Sequence, residues 1–151
     1  MAKTWGTPTW YFFHSLAENV DKNFYKNNSE TIKKYIINIC SNLPCHECTK
    51  HAKSYLNKHL KNRKITNKEE LKKFLFDFHN EVNVRLKKPR FEDIDYYKNS
   101  NLLNIYKNFK YFYTKNNSLE RGFSDSLSRR NLISNLDDYF KNNSNYFKWH
   151  A

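Results

Sequence analysis

Residues 66–89, with the sequence TNKEELKKFLFDFHNEVNVRLKKP, carry the clearest structural signal in the chain. The run from Thr66 to Glu69 is typical of a capping box, in which side-chain oxygens bind the free N–H groups at a helix start. Apolar residues then recur at helical spacing up to Lys88-Pro89, where proline disfavours further helix. They are Leu71, Phe74, Leu75, Phe78, Val82 and Leu86. The pattern predicts one long amphipathic helix.

Three more amphipathic helices are predicted before it. Thr7-Pro8 is typical of an N-cap followed by proline in the first helical position. Residues 21–29 read as a polar loop, with Ser29 placed to cap a second helix. Pro44 ends that second helix and can open a third. Four amphipathic helices joined by short links predict an all-α protein built on a four-helix bundle.

The composition changes beyond Asp95. Polar runs of Asn, Lys and Ser there alternate with two weaker apolar segments, residues 102–113 and 127–140. These segments fit either two further helices packed on the bundle or a partly ordered tail. We expect a domain of residues 1–97, with a short fifth helix, and a helical C-terminal extension of residues 98–151 whose role the sequence does not specify.

The bulk composition fits one helical domain. With 151 residues, 38% hydrophobic and 17% aromatic, the chain can build a core. Two glycines and three prolines argue against a glycine-rich nucleotide loop and against an all-β fold. The formal net charge is +12, but the lysines are mixed with Asn, Tyr and Ile, as an AT-rich coding sequence produces. Because no DNA- or RNA-binding motif stands out, we expect no specific nucleic-acid binding.

The chain has three cysteines, Cys40, Cys45 and Cys48, too few for the disulfide framework of a small secreted domain. The sequence shows no apolar leader and no stretch of ~18 apolar residues, so we expect a soluble, cytoplasmic protein without a membrane span. Cys45 and Cys48 follow Pro44 at a helix start, where the two sulfurs can bridge and the helix N-terminus favours thiolate. Cys40, on the apolar face of the second helix, is expected to be a buried free thiol.

Several functions are open to such a pair. A bare Cys-x-x-Cys fits a redox centre and half of a zinc-binding interaction module equally well, with His51 and His79 as further zinc ligands. A thioredoxin-like oxidoreductase would need a βαβ pattern, which the sequence does not show. A basic helical nucleic-acid-binding protein would show steeply salt-dependent binding to any DNA.

Three motifs place the pair in a wider pattern. They are Trp5-Gly6-x-x-x-Trp10-x-x-x-His14, then Cys45-x-x-Cys48-x-x-His51, then His79-Asn80-Glu81-Val82-Asn83 followed by Leu86-Lys87-Lys88. In order and approximate spacing, these motifs resemble the Erv/ALR family of FAD-linked sulfhydryl oxidases, over about residues 5–97. The resemblance weakens the zinc alternative, so we expect no metal, and it implies a flavin inside the bundle. The FAD contacts that it implies are Gly6, Trp10, His14, His51, His79, Asn80, Val82, Asn83 and Lys88.

The residue types suit that cofactor. Trp10 and His14 lie one helical turn apart, which suits stacking and hydrogen bonding with an aromatic ring. His79 and Asn83 offer donors and acceptors from another helix. Lys88, at the end of that helix, can meet a pyrophosphate.

The resemblance also implies a mechanism and partners. A protein dithiol attacks Cys45, which we expect to be the more exposed sulfur, and Cys48 passes the electrons to the flavin. The reduced flavin then gives them to oxygen, forming hydrogen peroxide. A homodimer built by the bundle helices is implied as well. The chain departs from the family at Phe74, where tryptophan is common, and it has no cysteine after Cys48, so we expect a separate thiol-disulfide carrier protein. Such short forms resemble those of large cytoplasmic DNA viruses, which implies the host cytoplasm or the virion as the location.

Overall fold

The computed structural model describes residues 4–60, 63–115 and 122–151. Within these ranges the chain has no strand, and it forms a short 3-10 helix near its end, Ser144–Tyr146, and six α-helices. The α-helices are α1 (Gly6–Asn19), α2 (Lys22–Cys40), α3 (His46–Leu60), α4 (Lys68–Arg85), α5 (Leu102–Thr114) and α6 (Gly122–Asn142). The all-α prediction is confirmed. None of the described helices is both long enough and apolar enough to cross a membrane.

The start of α4 lies one residue later than predicted. Asn67 is the N-cap, and its side chain accepts a hydrogen bond from the Glu70 N–H. The Glu70 carboxylate in turn accepts one from the Thr66 N–H. This reciprocal pattern is that of a capping box. It is formed by Asn67 and Glu70, one residue later than the predicted Thr66 and Glu69, because Glu70 is the glutamate whose side chain returns to the helix start.

The end of α4 is a tight reversal. The helix ends at Arg85, and Lys87 takes a φ of 55°, a left-handed conformation that a side chain with a Cβ adopts at a cost of about 1–2 kcal/mol. The Lys88 N–H then donates to the carbonyl oxygen of Asn83 at 2.8 Å. This turn keeps Lys88 beside the last turn of the helix.

The first two helices start earlier than predicted. α1 begins at Gly6, with Trp5 before it, and Thr7 does not cap it. The expected polar loop is helical from Lys22, because the Asp21 side chain caps α2 by accepting from the Phe24 N–H at 2.9 Å. The prediction of Ser29 as a cap was wrong. The polar residues there produce a kink within the helix, at Asn28.

The short fifth helix is not formed as such. Residues 94–99 instead make successive turns, in which Tyr96 donates to the Asp93 carbonyl and Lys98 to the Asp95 carbonyl. Both bonds join residues three apart, and they do not continue into a helical ladder. This segment leads from the end of α4 back to the start of α5.

The segments predicted at residues 102–113 and 127–140 are helices, and they are packed rather than partly ordered. α1 lies between α4 on one side and α5 on the other. Phe12 of α1 stacks on Phe109 of α5, with ring centroids 4.6 Å apart, and both side chains are fully buried. The hydroxyl of Tyr113 donates to the Ile39 carbonyl of α2 at 3.0 Å. The C-terminal residues therefore share one aromatic core with the bundle.

Candidate active site

The two cysteines of the Cys-x-x-Cys motif are joined to each other at the start of α3. Cys45 and Cys48 form a disulfide, with their Cα atoms 5.2 Å apart. The Cys48 N–H donates to Sγ of Cys45 at 3.2 Å, so one N–H of the helix start is directed at the first sulfur. An N–H donor and the helix dipole both stabilise a thiolate at that position.

The two sulfurs differ in access. Cys48 is buried, with 6% of its surface exposed, whereas Cys45 is half-buried. The turn before the helix is held by Thr49, whose hydroxyl accepts a hydrogen bond from the Leu43 N–H at 3.1 Å. The expectation that Cys45 is the more exposed member is confirmed. Cys45 is thus partly accessible from outside the fold, while Cys48 borders its interior.

Cys48 borders a partly open cavity of about 170 Å³ between α1, α3, α4 and the end of α2. Several of the sequence-predicted site residues line this cavity together. They are Gly6, Trp10, Cys48, His79, Val82, Asn83 and Lys88. The structure thus brings the three separate motifs to one place. His14, His51, Asn80 and Cys45 are not among the lining residues.

His14 does not line the cavity, but it contacts His79, which does. Its Nε2 atom is 2.9 Å from Nδ1 of His79, and the His79 ring stacks on the indole of Trp10 at 4.3 Å and 9°. Burial and the neighbouring His79 lower the pKa of His14 to about 3. Burial and Lys88 lower the pKa of His79 to about 4. At neutral pH both rings are uncharged, so one donates the shared hydrogen bond and the other accepts it.

Asn80 and Asn83 have different surroundings. The Asn80 amide donates to the Phe91 carbonyl at 2.9 Å, and its oxygen accepts from the Phe91 N–H at 2.8 Å. Asn80 therefore anchors the segment after α4. Asn83 is buried beside the cavity, and its carboxamide makes no hydrogen bond to any of the described residues. It is a free donor and acceptor for a bound group.

His51 lies on another face of α3. Its Nε2 atom is 3.6 Å from a carboxylate oxygen of Glu47, and the ring is about half exposed. It borders a neighbouring surface groove between α3 and α4, which shares Phe78, Val82 and Arg85 with the cavity. The structure places His51 next to the cavity but does not bring it inside.

Sequence reasoning missed other residues of the site. Arg85 also lines the cavity and adds a second cation beside Lys88. Its position three residues after Val82 is a signal that could have found it. Tyr97 is buried and stacks on His14 at 5.0 Å and 14°. No motif spacing indicates Tyr97, because it reaches the site through the turns after α4.

Cys40 is a buried free thiol, as predicted. It stands at the end of α2 and borders the same cavity as Cys48. Burial raises the pKa of the Cys40 thiol to about 12, so it is a neutral thiol at physiological pH. A neutral thiol is a poor nucleophile in disulfide exchange.

The geometry gives the zinc alternative no support. Across residues 4–60, 63–115 and 122–151, there is no group of three or more His, Cys, Asp or Glu side chains placed to hold a metal ion. His79 is paired with His14, and His51 with Glu47. The arrangement is that of a disulfide beside an aromatic cavity.

Comparison with known proteins gives the same picture. Residues 7–101 match the Erv1 / Alr family. The chain is 38% identical over 85 residues to the FAD-linked sulfhydryl oxidase of African swine fever virus, covering 56% of this chain and 69% of the viral protein. It is 29% identical over 86 residues to the mitochondrial FAD-linked sulfhydryl oxidase erv1 of Schizosaccharomyces pombe, covering 57% of this chain and 47% of that protein.

A solved structure shares the helical fold. The crystal structure of the yeast Erv1 core superposes with a TM-score of 0.50 at 25% identity, covering 65% of this chain and 80% of that one. The chain spans 60% of a related protein of Invertebrate iridescent virus 3 and 47% of the fission yeast protein. The matched region includes α1 from Thr7 onward, α2 to α4, the disulfide and all cavity-lining residues except Trp5 and Gly6. This chain belongs to the Erv1 / Alr family.

Proposed function

We propose that this protein is a FAD-dependent thiol oxidase that forms disulfide bonds in protein substrates through Cys45 and Cys48. The observation that carries the proposal is the position of the disulfide between two environments. Cys45 is accessible from outside, and Cys48 borders a cavity that contains Trp10 and His79. Electrons entering at one sulfur can therefore leave at the other. The names of the viral and fungal relatives support the same activity.

The residues at the cavity fit a flavin dinucleotide. Trp10, Val82 and the neighbouring aromatic side chains suit a planar ring, and the unpaired amide of Asn83 suits its polar edge. Lys88 and Arg85 suit a diphosphate. At about 170 Å³ the cavity is smaller than the ~300–1,000 Å³ of typical ligand pockets, so it would hold only part of the dinucleotide. His14, His51 and Asn80 do not line the cavity, so their direct contact with FAD stays a prediction.

The substrate half of the reaction needs only sulfur chemistry. A thiolate of the substrate dithiol attacks Sγ of Cys45, a sulfur–sulfur bond forms, and Cys48 leaves as a thiolate. The second substrate thiolate then attacks the substrate sulfur of this mixed disulfide and releases Cys45 as a thiolate. The substrate ends as a disulfide, its two thiol protons pass to solvent, and the pair holds two electrons. When bound, FAD supplies a two-electron acceptor that dioxygen reoxidises with formation of hydrogen peroxide.

The protein's own groups assist each thiolate. The N–H of Cys48 and the N-terminus of α3 stabilise negative charge on Cys45. Thr49 holds the preceding turn, which keeps the two sulfurs within bonding distance. The burial of Cys48 excludes outside thiols from it. The substrate therefore attacks Cys45 first, because Cys45 is the more accessible sulfur and the helix start stabilises its thiolate.

We further propose a separate dithiol carrier protein as the electron donor. The sequence has no cysteine after Cys48, so within these residues no second pair relays electrons to Cys45. We place the redox site in residues 1–97 and propose a homodimer in the host cytoplasm or the virion. The dimer interface must lie outside the face of α1 that α5 covers, because Phe12 and Phe109 stack there.

Oxygen consumption with dithiothreitol tests the proposal. We expect the FAD-loaded protein to consume oxygen, and Cys45→Ser and Cys48→Ser to abolish consumption while FAD stays bound. Ser128→Ala, at an exposed position of α6, is the matched control and should behave as wild type. Unchanged oxygen consumption in either cysteine variant would overturn the assignment.

A further inference from the structure

A row of lysines runs along the outer face of α3, starting near the redox pair. We define the α3 stripe as Lys50, Lys53 and Lys58, which border an open surface groove of about 690 Å³. His46, Thr49 and Asn57 border the same groove. His46, Lys50, Lys53 and Asn57 are spaced by four, three and four residues, which places them on one helix face.

The α3 stripe has a direct relation to the accessible sulfur. His46 follows Cys45 in the chain, and the groove begins at His46. At 1.5 Å per residue, Lys50 to Lys58 covers about 12 Å along the helix away from Cys45. A polypeptide that presents a thiol to Cys45 can therefore lie along this groove.

The positive charge of the α3 stripe is not neutralised within the fold. All three lysines are exposed, and the described part of the chain holds no carboxylate within ion-pair distance of them. Lysines elsewhere do form such pairs. They include Lys72 with Asp95, Lys73 with Asp77 and Lys110 with Asp137.

Acidic groups lie at the edges of the α3 stripe, and one of them, Glu81, borders a neighbouring groove together with Lys58. Glu47 is directed to His51 on another face of α3, with 3.6 Å between a carboxylate oxygen of Glu47 and Nε2 of His51. Asp125 of α6 lies 3.8 Å from His46, at the end of the groove beside Cys45. Negative groups of a partner are therefore expected to contact the lysines further along the helix, not His46.

We propose that the α3 stripe docks an acidic segment of the protein dithiol that reduces the Cys45–Cys48 disulfide. This inference rests on the proposed function and adds the chemistry of the substrate to it. Complementary charge raises the association rate and orients the encounter, and its effect falls as salt rises. The effect is local, since charges are screened beyond about 8 Å at physiological ionic strength.

Two synthetic dithiol peptides test the proposal with the FAD-loaded enzyme. Both carry one Cys-x-x-Cys pair, flanked in one peptide by Asp and Glu and in the other by Asn and Gln. We expect kcat/KM to be about tenfold higher for the acidic peptide at low salt, and the difference to vanish at high salt. The variant K50E/K53E/K58E should lose the preference while oxidising dithiothreitol at the wild-type rate.

A matched triple variant removes the influence of net charge. Lys107→Glu, Lys141→Glu and Lys148→Glu change the charge by the same amount, at exposed positions around a groove of α5 and α6. This control should keep most of the preference for the acidic peptide. Equal kcat/KM for the two peptides, or an equal loss in the control, would overturn the proposal.

A binding measurement separates the two proposals. Fluorescence anisotropy of a labelled acidic peptide with serine in place of cysteine reports docking without turnover. Tighter binding to wild type than to K50E/K53E/K58E supports the α3 stripe even if dithiothreitol is not oxidised, in which case only the oxidase proposal fails. Equal binding to both proteins contradicts the α3 stripe even if dithiothreitol is oxidised.

Discussion

The Nε2 atom of His14 lies 2.9 Å from Nδ1 of His79, although 65 residues separate them in the chain. This contact joins α1 to α4 directly behind the cavity wall. His79 also stacks on Trp10, so the pair fixes one side of the cavity. Burial disfavours the charged form of either ring, so at neutral pH the hydrogen bond joins two uncharged rings.

The histidine pair predicts a loss of stability in acid. The pKa of His14 is lowered to about 3 in the folded protein, while 6.5 is the ordinary value. The unfolded chain therefore binds more protons below pH 6.5, and stability falls as the pH drops from 6.5 towards 3. From His14 alone, the free energy of unfolding should fall by about 2 kcal/mol between pH 7 and pH 5. Urea unfolding at several pH values measures it.

A variant without the titrating group is the control for this prediction. His14→Gln should be less stable at pH 7 and should show a flatter dependence of stability on pH. His150→Gln, at the exposed chain end, should keep the wild-type slope. A wild-type slope in His14→Gln would show that His14 does not cause the acid sensitivity.

Asn83 is predicted to bind the cofactor through its free amide. Asn83→Ala should weaken FAD binding about tenfold, since a lost hydrogen bond in a buried site costs about 1–2 kcal/mol. Titration of the cofactor-free protein with FAD, followed by flavin fluorescence, measures the change. Val84→Ala is the neighbouring control, at a position that is 73% exposed, and should bind FAD as wild type does. Equal affinity of Asn83→Ala and Val84→Ala would remove Asn83 from the site.

Cys40 is predicted to be dispensable for electron transfer. Its thiol stays neutral because burial raises its pKa to about 12, so it cannot compete with Cys45 or Cys48 as a nucleophile. Cys40→Ala should retain more than half of the oxygen consumption with dithiothreitol. If Cys40→Ala were as inactive as Cys48→Ser, a relay through three cysteines would replace the scheme.

The C-terminal helices are predicted to stabilise the bundle that holds the site. Phe109→Ala should lower the free energy of unfolding by about 3–5 kcal/mol, because it removes a fully buried ring that stacks on Phe12. Tyr111→Ala, at a position 60% exposed on the same helix, should change it by less than about 0.5 kcal/mol. Chemical denaturation measures both. A small effect of Phe109→Ala would mean that α5 is not part of the core.

The elements that could be predicted from the sequence are those with local signals. The apolar spacing of α4 and the acidic residue at its start belong to one short segment. The predicted start of the helix therefore lies within one residue of the observed start. The start of α2 was missed because Asp21 and Asn28 look like loop residues. Their side chains in fact bind the backbone of the helix itself, as a cap and at a kink.

The site could be predicted only as far as its motifs reach. Trp10, His79 and Asn83 fall in recognisable spacing and meet at the cavity. The stacking of Tyr97 on His14 depends on the turns after α4. The packing of α5 on α1 depends on the path that the chain takes from the end of α4 to the start of α5. Contacts between residues far apart in the chain produce no regular residue spacing, so the sequence does not predict them.

Anaerobic reduction of the purified protein by dithiothreitol tests the central claim most directly. We predict that the wild-type protein is yellow, that excess dithiol, which reduces both the disulfide and the flavin, removes the visible absorbance, and that admitting oxygen restores it with release of hydrogen peroxide. Cys48→Ser should stay yellow under the same anaerobic treatment. A folded wild-type protein that remains colourless after incubation with FAD, or a Cys48→Ser protein that loses its colour at the wild-type rate, would contradict the account.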